Sequence, residues 1–138
     1  MLKPGSFFVS YEWLTTSNFD ETNATHVKLI QDVVTGNALP NMRSEKDVRA
    51  AAKKVGFEIV MIQDQSVYSE VPWYITLKRS TWSRNATQIA LTIMEFLRMV
   101  PSGTSMVHLM LCKAADGLIA SGSQKIFTPM CTCVFLKP

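Results

Sequence analysis

The sequence reads SEKDVRAAAKKVGFEIVMIQD from residue 44 to residue 64, and this stretch decides the fold class. Ser44, followed three residues later by Asp47, is typical of a helix N-cap with an acidic residue in the first turn. Small and apolar residues continue at helical spacing, and two lysines precede Gly56, which is a C-terminal stop signal. Residues 57–64 are β-branched and apolar. The stretch therefore predicts a helix that leads directly into a strand.

Upstream of this stretch, the sequence predicts a strand, a loop and a shorter helix. Residues 7–13 are aromatic and apolar on both faces at their start, which is typical of a buried strand. Residues 15–25 are polar and predict a loop. Residues 26–34 predict a helix that ends at Gly36. A strand, helices and a strand in this order indicate a βαβ-type unit, so the predicted fold class is α/β.

The second half of the chain departs from that alternation. Residues 71–74 form an aromatic loop, and residues 84–99 and 105–120 have helical periodicity, with Gly122 expected to close the second helix. Residues 126–136 predict a final strand. The segment between the last two predicted strands is about 60 residues long, which is typical of functional insertions such as lids and substrate walls.

Composition excludes several classes of protein. The chain has 138 residues, 47% of them hydrophobic and 18% charged, and a formal net charge of +3. These values are not those of a disordered chain, and 14 basic against 11 acidic residues predict no nucleic-acid partner. No apolar stretch is long enough for a membrane span, and residues 1–5 contain no apolar signal-peptide region. We therefore expect a soluble, intracellular globular protein.

No motif in the sequence defines a phosphate or metal site by itself. The six glycines form no phosphate-binding loop after a strand. Cys131 and Cys133 share one face of a predicted strand, but His26 and His108 lie far from them in sequence, so no metal site is expected. With Cys112 they make three cysteines in no disulfide framework, which favours a reducing compartment.

Two aromatic groups are candidate ligand-binding residues. Tyr11, Glu12 and Trp13 place a carboxylate between two aromatic rings at the carboxyl end of a predicted strand, where open α/β sheets bind ligands. Such a group can stabilise a developing cation. The alternative, which residue types alone slightly favour, is that the rings pack in the core while the carboxylate caps a helix or faces water. Trp73 and Tyr74 either anchor the core or form a ligand wall.

The order of short segments along the chain resembles the carboxyl-terminal half of the sterol 24-C-methyltransferases, a family that uses S-adenosylmethionine. The matching segments include LKPG at 2–5, YEW at 11–13, GNALP at 36–40, KVGFE at 54–58, PWY at 72–74, ADGL at 115–118 and IFTPM at 126–130. Residues 82–85 and 107–111 are more similar to the plant-type branch, which acts on an already methylenated side chain.

The resemblance implies a class I methyltransferase fold. Residues 7–13, 57–64 and 126–136 would be its fifth, sixth and seventh strands. Residues 1–65 and 126–138 would belong to the α/β core, and residues 66–125 to a helical insertion of the sterol family. The family's glycine-rich loop and ribose-binding acid would lie in the amino-terminal half, so the cofactor-binding residues of this chain stay unknown.

The resemblance also implies a reaction and its residues. The family transfers a methyl group from S-adenosylmethionine to C24 of a sterol side chain, through a carbocation that finally loses a proton. Tyr11, Glu12 and Trp13 would stabilise the cation as catalytic residues. A sterol-binding set would comprise Pro72, Trp73, Tyr74, Asn37, Leu39 and Phe127. Peripheral membrane association at the cytoplasmic face of the endoplasmic reticulum would follow.

Three positions depart from the family pattern. Val34 replaces an acidic residue, which puts the deprotonation step in doubt, while Ser6 replaces a glycine and Leu136 a basic residue. The chain alone is expected to be inactive. The alternatives are a non-catalytic truncated homologue that binds sterol or pairs with a full-length subunit, and an enzyme for another lipid-like acceptor. Because residues 7–13 would form an open sheet edge, we also expect a homo-oligomer or poor solubility.

Overall fold

The computed structural model describes residues 2–138 as a four-stranded sheet with four α-helices. In chain order the elements are β1 (Phe7–Thr15), α1 (Ala24–Gly36), β2 (Arg43–Ser44), α2 (Glu45–Lys54), β3 (Glu58–Asp64), α3 (Thr81–Phe96), α4 (Thr104–Ser123) and β4 (Phe127–Leu136). Two short 3-10 helices, Gln65–Tyr68 and Trp73–Leu77, lie between β3 and α3. The predicted α/β class is confirmed.

The strands lie in the order β2-β1-β4-β3, and β4 is antiparallel to both β1 and β3. β1 and β3 therefore run parallel to each other, and their carboxyl ends meet at one edge of the sheet. β2 pairs in parallel with only Leu14 and Thr15 of β1. Among residues 2–138, the outer edge of β1 is thus unpaired from Phe7 to Trp13.

α2 forms as its cap residues predict. The Ser44 hydroxyl accepts a hydrogen bond from the Asp47 amide at 3.3 Å, and the Ser44 amide donates to the Asp47 carboxylate at 2.9 Å. These bonds from Ser44 lower the pKa of Asp47. Lys53 and Lys54 lie in the last turn, and Gly56 follows with a φ of +81°. This predicted helix, with both of its end signals, is confirmed.

β4 changes the face to which its side chains point near Pro129. The register between β1 and β4 shifts by one residue between Glu12 and Leu14, with the extra residue in β4. Proline has no amide hydrogen and is tolerated in a strand at such bulges. As a result, Phe127 and Cys131 lie in different hydrophobic clusters, although strand alternation alone would place them on one face.

Two clusters of buried side chains form the core. The α2 core lies between the sheet and α2 and consists of Leu14, Ala52, Cys131, Cys133 and Phe135. The α1–α4 core joins those two helices to the start of β4 and consists of Ile30, Val33, Leu118, Ile126 and Phe127. The bulge in β4 lets one strand contribute to both cores.

Helix boundaries differ from the predictions in three places. α1 begins two residues earlier than predicted, because the Asn23 side chain accepts hydrogen bonds from the amides of Thr25 and His26 at 2.9 and 3.4 Å. The Ser80 hydroxyl likewise caps α3 upstream of its predicted start. The prediction that Gly122 closes α4 is wrong, because the helix continues past it.

α3 and α4 form an antiparallel hairpin held by polar side chains. Arg84 donates to both carboxylate oxygens of Asp116 at 2.8 Å and to the Cys112 carbonyl at 2.9 Å. Gln88 Oε1 lies 2.7 Å from His108 Nδ1. The facing sides of the two helices are therefore joined by hydrogen bonds. No helix within residues 2–138 has both the length and the apolar character needed to cross a bilayer.

Candidate functional site

A cleft of about 510 Å³ lies at the edge of the sheet where β1 and β3 end. Leu14 and Thr15 line it from the end of β1, and Asp64 lines it from the end of β3. Open α/β sheets bind ligands outside the carboxyl ends of their strands. The position of this cleft makes it the candidate functional site.

One wall of the cleft is aromatic. Trp73 and Tyr74 come from the second 3-10 helix, and Phe127 comes from the start of β4. The rings of Trp73 and Phe127 pack edge to face with centroids 5.6 Å apart, and Phe127 meets Trp13 in the same way at 5.4 Å. Since Phe127 is only 2% exposed, it supports the wall from behind. The packed rings present a rigid, largely apolar surface.

Gly122 of α4 makes room for this wall. A Cβ atom at Gly122 would lie 2.6 Å from Cδ1 of Tyr74 and 2.8 Å from Cζ2 of Trp73. Both distances are shorter than any ordinary contact between carbon atoms. The two rings therefore lie directly on the backbone of α4. This close approach explains why a glycine stands inside the helix, where it costs about 1 kcal/mol relative to alanine.

The opposite side of the cleft is polar. Asp64 Oδ1 accepts hydrogen bonds from the Thr128 hydroxyl at 2.7 Å and from the Ser66 amide at 2.9 Å. Glu45 forms an ion pair with Arg49 at 2.6 Å. Each carboxylate of the cleft thus has a partner within the chain. The Asp64–Thr128 bond also ties the segment after β3 to β4.

The structure brings four of the predicted binding residues together. Pro72, Trp73, Tyr74 and Phe127 all line the cleft. Trp13 lies behind them and touches the wall through Phe127. The aromatic loop of the sequence and the start of the last strand therefore meet at one site.

The other predicted site residues lie elsewhere. Tyr11 and Glu12 are exposed residues of β1 outside the cleft, and neighbouring residues of a strand point to opposite faces. Asn37 donates a hydrogen bond from Nδ2 to the Val33 carbonyl at 2.8 Å, at the end of α1. Leu39 packs against the α1–α4 core. The last two residues thus belong to the terminus of α1.

Sequence reasoning missed the polar side of the cleft and the role of Gly122. Asp64 ends a strand parallel to β1, and the same positional signal that drew attention to Glu12 would have indicated it. Thr128 and Gly122 carried no such signal. Their roles depend on contacts with segments that are distant along the chain.

The cysteines next to the cleft are neutral core residues. Cys131 lines the cleft but is buried, and burial raises the pKa of its thiol to about 12. Burial also raises the pKa of Cys133. Only the thiolate is a good nucleophile or metal ligand, so neither sulfur is activated at neutral pH. Within residues 2–138, no three His, Cys, Asp or Glu side chains are grouped to hold a metal ion.

The sheet defines the class of protein to which the chain is related. β4 is antiparallel and lies between the parallel strands β1 and β3, in a layered α/β fold that carries its cleft at the strand ends. This arrangement is that of the carboxyl-terminal part of a methyltransferase. Its hairpin of α3 and α4 lies between β3 and β4, at the place predicted for the insertion.

Comparison with known proteins identifies the family. Residues 74–138 match the family described as "Sterol methyltransferase C-terminal". The whole chain is 41% identical to 24-methylenesterol C-methyltransferase 2 of Arabidopsis thaliana and covers 38% of it. It is 39% identical to the sterol 24-C-methyltransferase of Eremothecium gossypii, covering 42%, and 34% identical to botryococcene C-methyltransferase of Botryococcus braunii, covering 38%. Residues 74–138 thus match the carboxyl-terminal part of the sterol methyltransferase family, and the whole chain, which is similar to these relatives from end to end, spans about two fifths of their length.

Proposed function

We propose that this chain is part of a sterol C-methyltransferase with S-adenosylmethionine as methyl donor and a 24-methylenesterol as acceptor. The observation that carries the proposal is the 41% identity to the Arabidopsis 24-methylenesterol enzyme over the whole chain. The cleft at the strand ends supports it, because an aromatic wall suits a rigid apolar acceptor. The chain alone is proposed to be inactive.

The described residues do not form a complete site for the methyl donor. The two carboxylates of the cleft are Asp64 and Glu45, and both are engaged within the chain. These bonds engage one oxygen of each carboxylate, and nothing in the geometry singles out either group for the ribose hydroxyls of S-adenosylmethionine. We therefore assign no donor-binding residue to this chain and derive no step through the donor, which supplies an electrophilic methyl group when bound.

We assign the acceptor side of the reaction to the aromatic wall. Trp73 and Tyr74, which Phe127 supports from behind, offer apolar surface against which a sterol lies without ordered water. A carbocation formed on an alkene carbon is destroyed by water, so a dry wall protects it. Aromatic faces also attract a cation, as Tyr74 already does with the Lys78 ammonium group 5.6 Å from its ring centroid.

Tyr11, Glu12 and Trp13 stay proposed as cation-stabilising residues of the assembled enzyme. Trp13 supports this role, because its ring touches Phe127 of the wall at 5.4 Å. Tyr11 and Glu12 are exposed on β1, so they reach a reacting carbon only where further protein covers that strand. The sterol roles of Asn37 and Leu39 have less support, because both residues serve the end of α1.

A non-catalytic homologue is the second candidate, and the edge of β1 favours it. The unpaired stretch Phe7–Trp13 offers main-chain hydrogen-bonding groups to another strand. A chain of this kind binds sterol, forms a homo-oligomer or pairs with a full-length subunit. The relative from Botryococcus braunii suggests a different acceptor, because it is named for botryococcene and not for a sterol.

We also propose that the protein works as a peripheral protein at the cytoplasmic face of the endoplasmic reticulum. Sterols dissolve in bilayers and hardly in water, so an enzyme that acts on a sterol meets its acceptor at a membrane. The helices among residues 2–138 do not span a membrane. A fusion to a fluorescent protein tests this location, and a diffuse signal in the cytosol contradicts it.

The test of the proposed function compares two tryptophans. Trp73→Ala removes part of the cleft wall, whereas Trp82→Ala removes an exposed ring on α3. We expect the 138-residue chain to retain a radiolabelled 24-methylenesterol, the first change to reduce retention about tenfold, and the second to leave it unchanged. Retention no higher than that of a control protein contradicts the sterol wall.

Calorimetry tests whether the 138-residue chain alone binds the methyl donor S-adenosylmethionine. We expect no saturable heat with the 138-residue chain at micromolar concentrations. Saturable binding would show that the chain holds a complete donor site. Methyl transfer to the labelled sterol by the chain alone would overturn its proposed inactivity.

A further inference from the structure

Among the residues that the structure describes, the outer face of α3 is an exposed apolar stripe. The exposed fractions of its residues are 81% for Trp82, 62% for Ile89, 53% for Ile93 and 86% for Phe96. Their spacings of seven, four and three residues place all four on one side of the helix. We call these four residues the α3 stripe. An apolar surface of this kind marks a site of interaction.

Arg84, Gln88 and Glu95 lie on the other side of α3 and are used within the hairpin, whereas the exposed and uncharged Asn85 lies on the side of the stripe. Arg84 binds Asp116, Gln88 binds His108, and Glu95 accepts a hydrogen bond from the Ser105 hydroxyl. The side chain of Ser105 and the first amides of α4 lower the pKa of Glu95 and keep it ionised. Because these groups face α4, no acidic side chain of α3 shares the surface with the stripe.

The region around the stripe is cationic. Residues 78–123, which include the whole of α3 and α4, contain five basic and two acidic residues, a net charge of +3, whereas the rest of the chain has nine basic and nine acidic residues, a net charge of zero. Arg79 precedes α3 and Arg98 follows it, and neither forms an ion pair with a described residue. The stripe is therefore flanked at both ends by an unpaired guanidinium group.

We propose that α3 lies flat on an anionic lipid surface. The α3 stripe then enters the boundary between headgroups and acyl chains, and Arg79 and Arg98 bind lipid phosphates beyond the two ends of α3, a helix about 24 Å long at 1.5 Å per residue. Trp82 suits this position, since an indole ring prefers the membrane interface. The inference rests on the proposed peripheral association and names the element that makes the contact.

Charge favours lipid over a second copy of the chain as the occupant of this surface. Two copies joined through the α3 stripe would bring two regions of charge +3 together, and like charges oppose such a contact. An anionic bilayer complements the same charge, and each Arg or Lys near it strengthens binding about fivefold. The pairing of apolar stripe and terminal cations thus fits a membrane surface.

Vesicle co-sedimentation tests the proposal. We expect the 138-residue chain to bind vesicles of phosphatidylcholine and phosphatidylserine, to bind pure phosphatidylcholine vesicles at least tenfold less, and to dissociate in high salt. Ile89→Ser with Phe96→Ser should lower binding at least tenfold. The matched control, Val55→Ser with Phe7→Ser, removes two other exposed apolar side chains and should leave it unchanged.

The cations are tested in the same assay. Arg79→Glu with Arg98→Glu should lower binding to the anionic vesicles at least tenfold. Lys28→Glu with Lys46→Glu makes the same change of net charge on α1 and α2 and should have less than a threefold effect. Circular dichroism confirms that each variant is folded, as expected for exposed positions.

Three results overturn the proposal. They are equal binding to neutral vesicles, equal loss of binding in the variants and their controls, and a dimer that Ile89→Ser with Phe96→Ser dissociates while no vesicle is bound. The proposed function is tested separately, because sterol retention is measured without vesicles and depends on Trp73. A chain that retains sterol but ignores vesicles would refute only the membrane contact.

Discussion

The two halves of α4 have opposite surroundings. In the carboxyl-terminal half, Ala114, Gly117 and Leu118 are buried against α1 and the α1–α4 core. In the amino-terminal half, Met106 and Met110 are exposed, and α3 packs against the helix. α4 therefore begins in a projection that consists of α3 and the first half of α4, and it ends in the α1–α4 core. Stability is concentrated where three or more elements meet, and the projection is left for contacts with other molecules.

Two phenylalanines give the largest contrast between these regions. Phe127 is 2% exposed in the core, whereas Phe96 is 86% exposed on the projection. We expect Phe127→Ala to lower the free energy of unfolding by about 3–5 kcal/mol and Phe96→Ala to change it by less than about 0.5 kcal/mol. Urea denaturation measures both. Similar losses for the two variants would show that the projection is packed as tightly as the core.

Two glycines of α4 test how closely other elements approach it. We expect Gly122→Ala to cost about 1–3 kcal/mol, because the new methyl group overlaps Trp73 and Tyr74. Gly117→Ala is the matched control, since its Cβ would lie 3.5 Å from the nearest atom, the Cβ of Asp32, which is an ordinary contact. Thermal unfolding compares their stabilities, and the labelled-sterol assay should show loss of binding only for Gly122→Ala. Equal behaviour of the two variants would contradict the close packing of the wall.

The two edges of β1 give a third contrast. One edge is paired with β4 along its length, and the other, among the described residues, is unpaired from Phe7 to Trp13. We expect the chain to form oligomers at micromolar concentrations and Val9→Lys to weaken this association about tenfold, because a charge on an open edge opposes strand pairing. Val55→Lys places the same charge at an exposed site of α2 and should not. Sedimentation velocity measures the association. A monomeric wild-type chain would show that the edge of β1 is protected.

The smallest effect is expected at the ion pair of the hairpin. Arg84 lowers the pKa of Asp116 below its usual value, so the pair stabilises the fold above about pH 4, and this contribution is lost as pH falls through the lowered pKa. Because the Asp116 side chain is 57% exposed, we expect about 0.5 kcal/mol or less. Urea denaturation of the wild type and Asp116→Asn at pH 6 and pH 3 measures it. An equal difference in stability between the two proteins at both pH values would contradict this role.

The elements that the sequence predicts well are those with local signals. α2 follows from Ser44 and Asp47 at its start and Gly56 at its end, and all of these bonds lie within one turn. β2 could not be predicted, because two residues have no periodicity. It exists only because Arg43 lies beside Leu14 of β1 in the folded chain.

The candidate site also has one part that local sequence signals predict and another part that they do not. The aromatic wall was predictable in part, since Pro72, Trp73 and Tyr74 are adjacent in sequence. The bond from Thr128 to Asp64 joins residues 64 positions apart and had no local signal. The sequence predicts that α4 ends at Gly122, because sequence alone does not distinguish a glycine that leaves room for two aromatic rings from a glycine that ends a helix.

The bulge at Pro129 divides β4 into two parts, and the backbone amides of each part can report the opening of a different core. Phe127 and Thr128 precede the bulge and pair only with β1, whereas β3 joins the ladder from Cys131 onward. Since proline carries no exchangeable amide, a gap in hydrogen-exchange protection falls between the two groups. The amide of Thr128 should report opening of the α1–α4 core and that of Cys133 opening of the α2 core. One strand can thus show whether the two cores unfold together or one after the other.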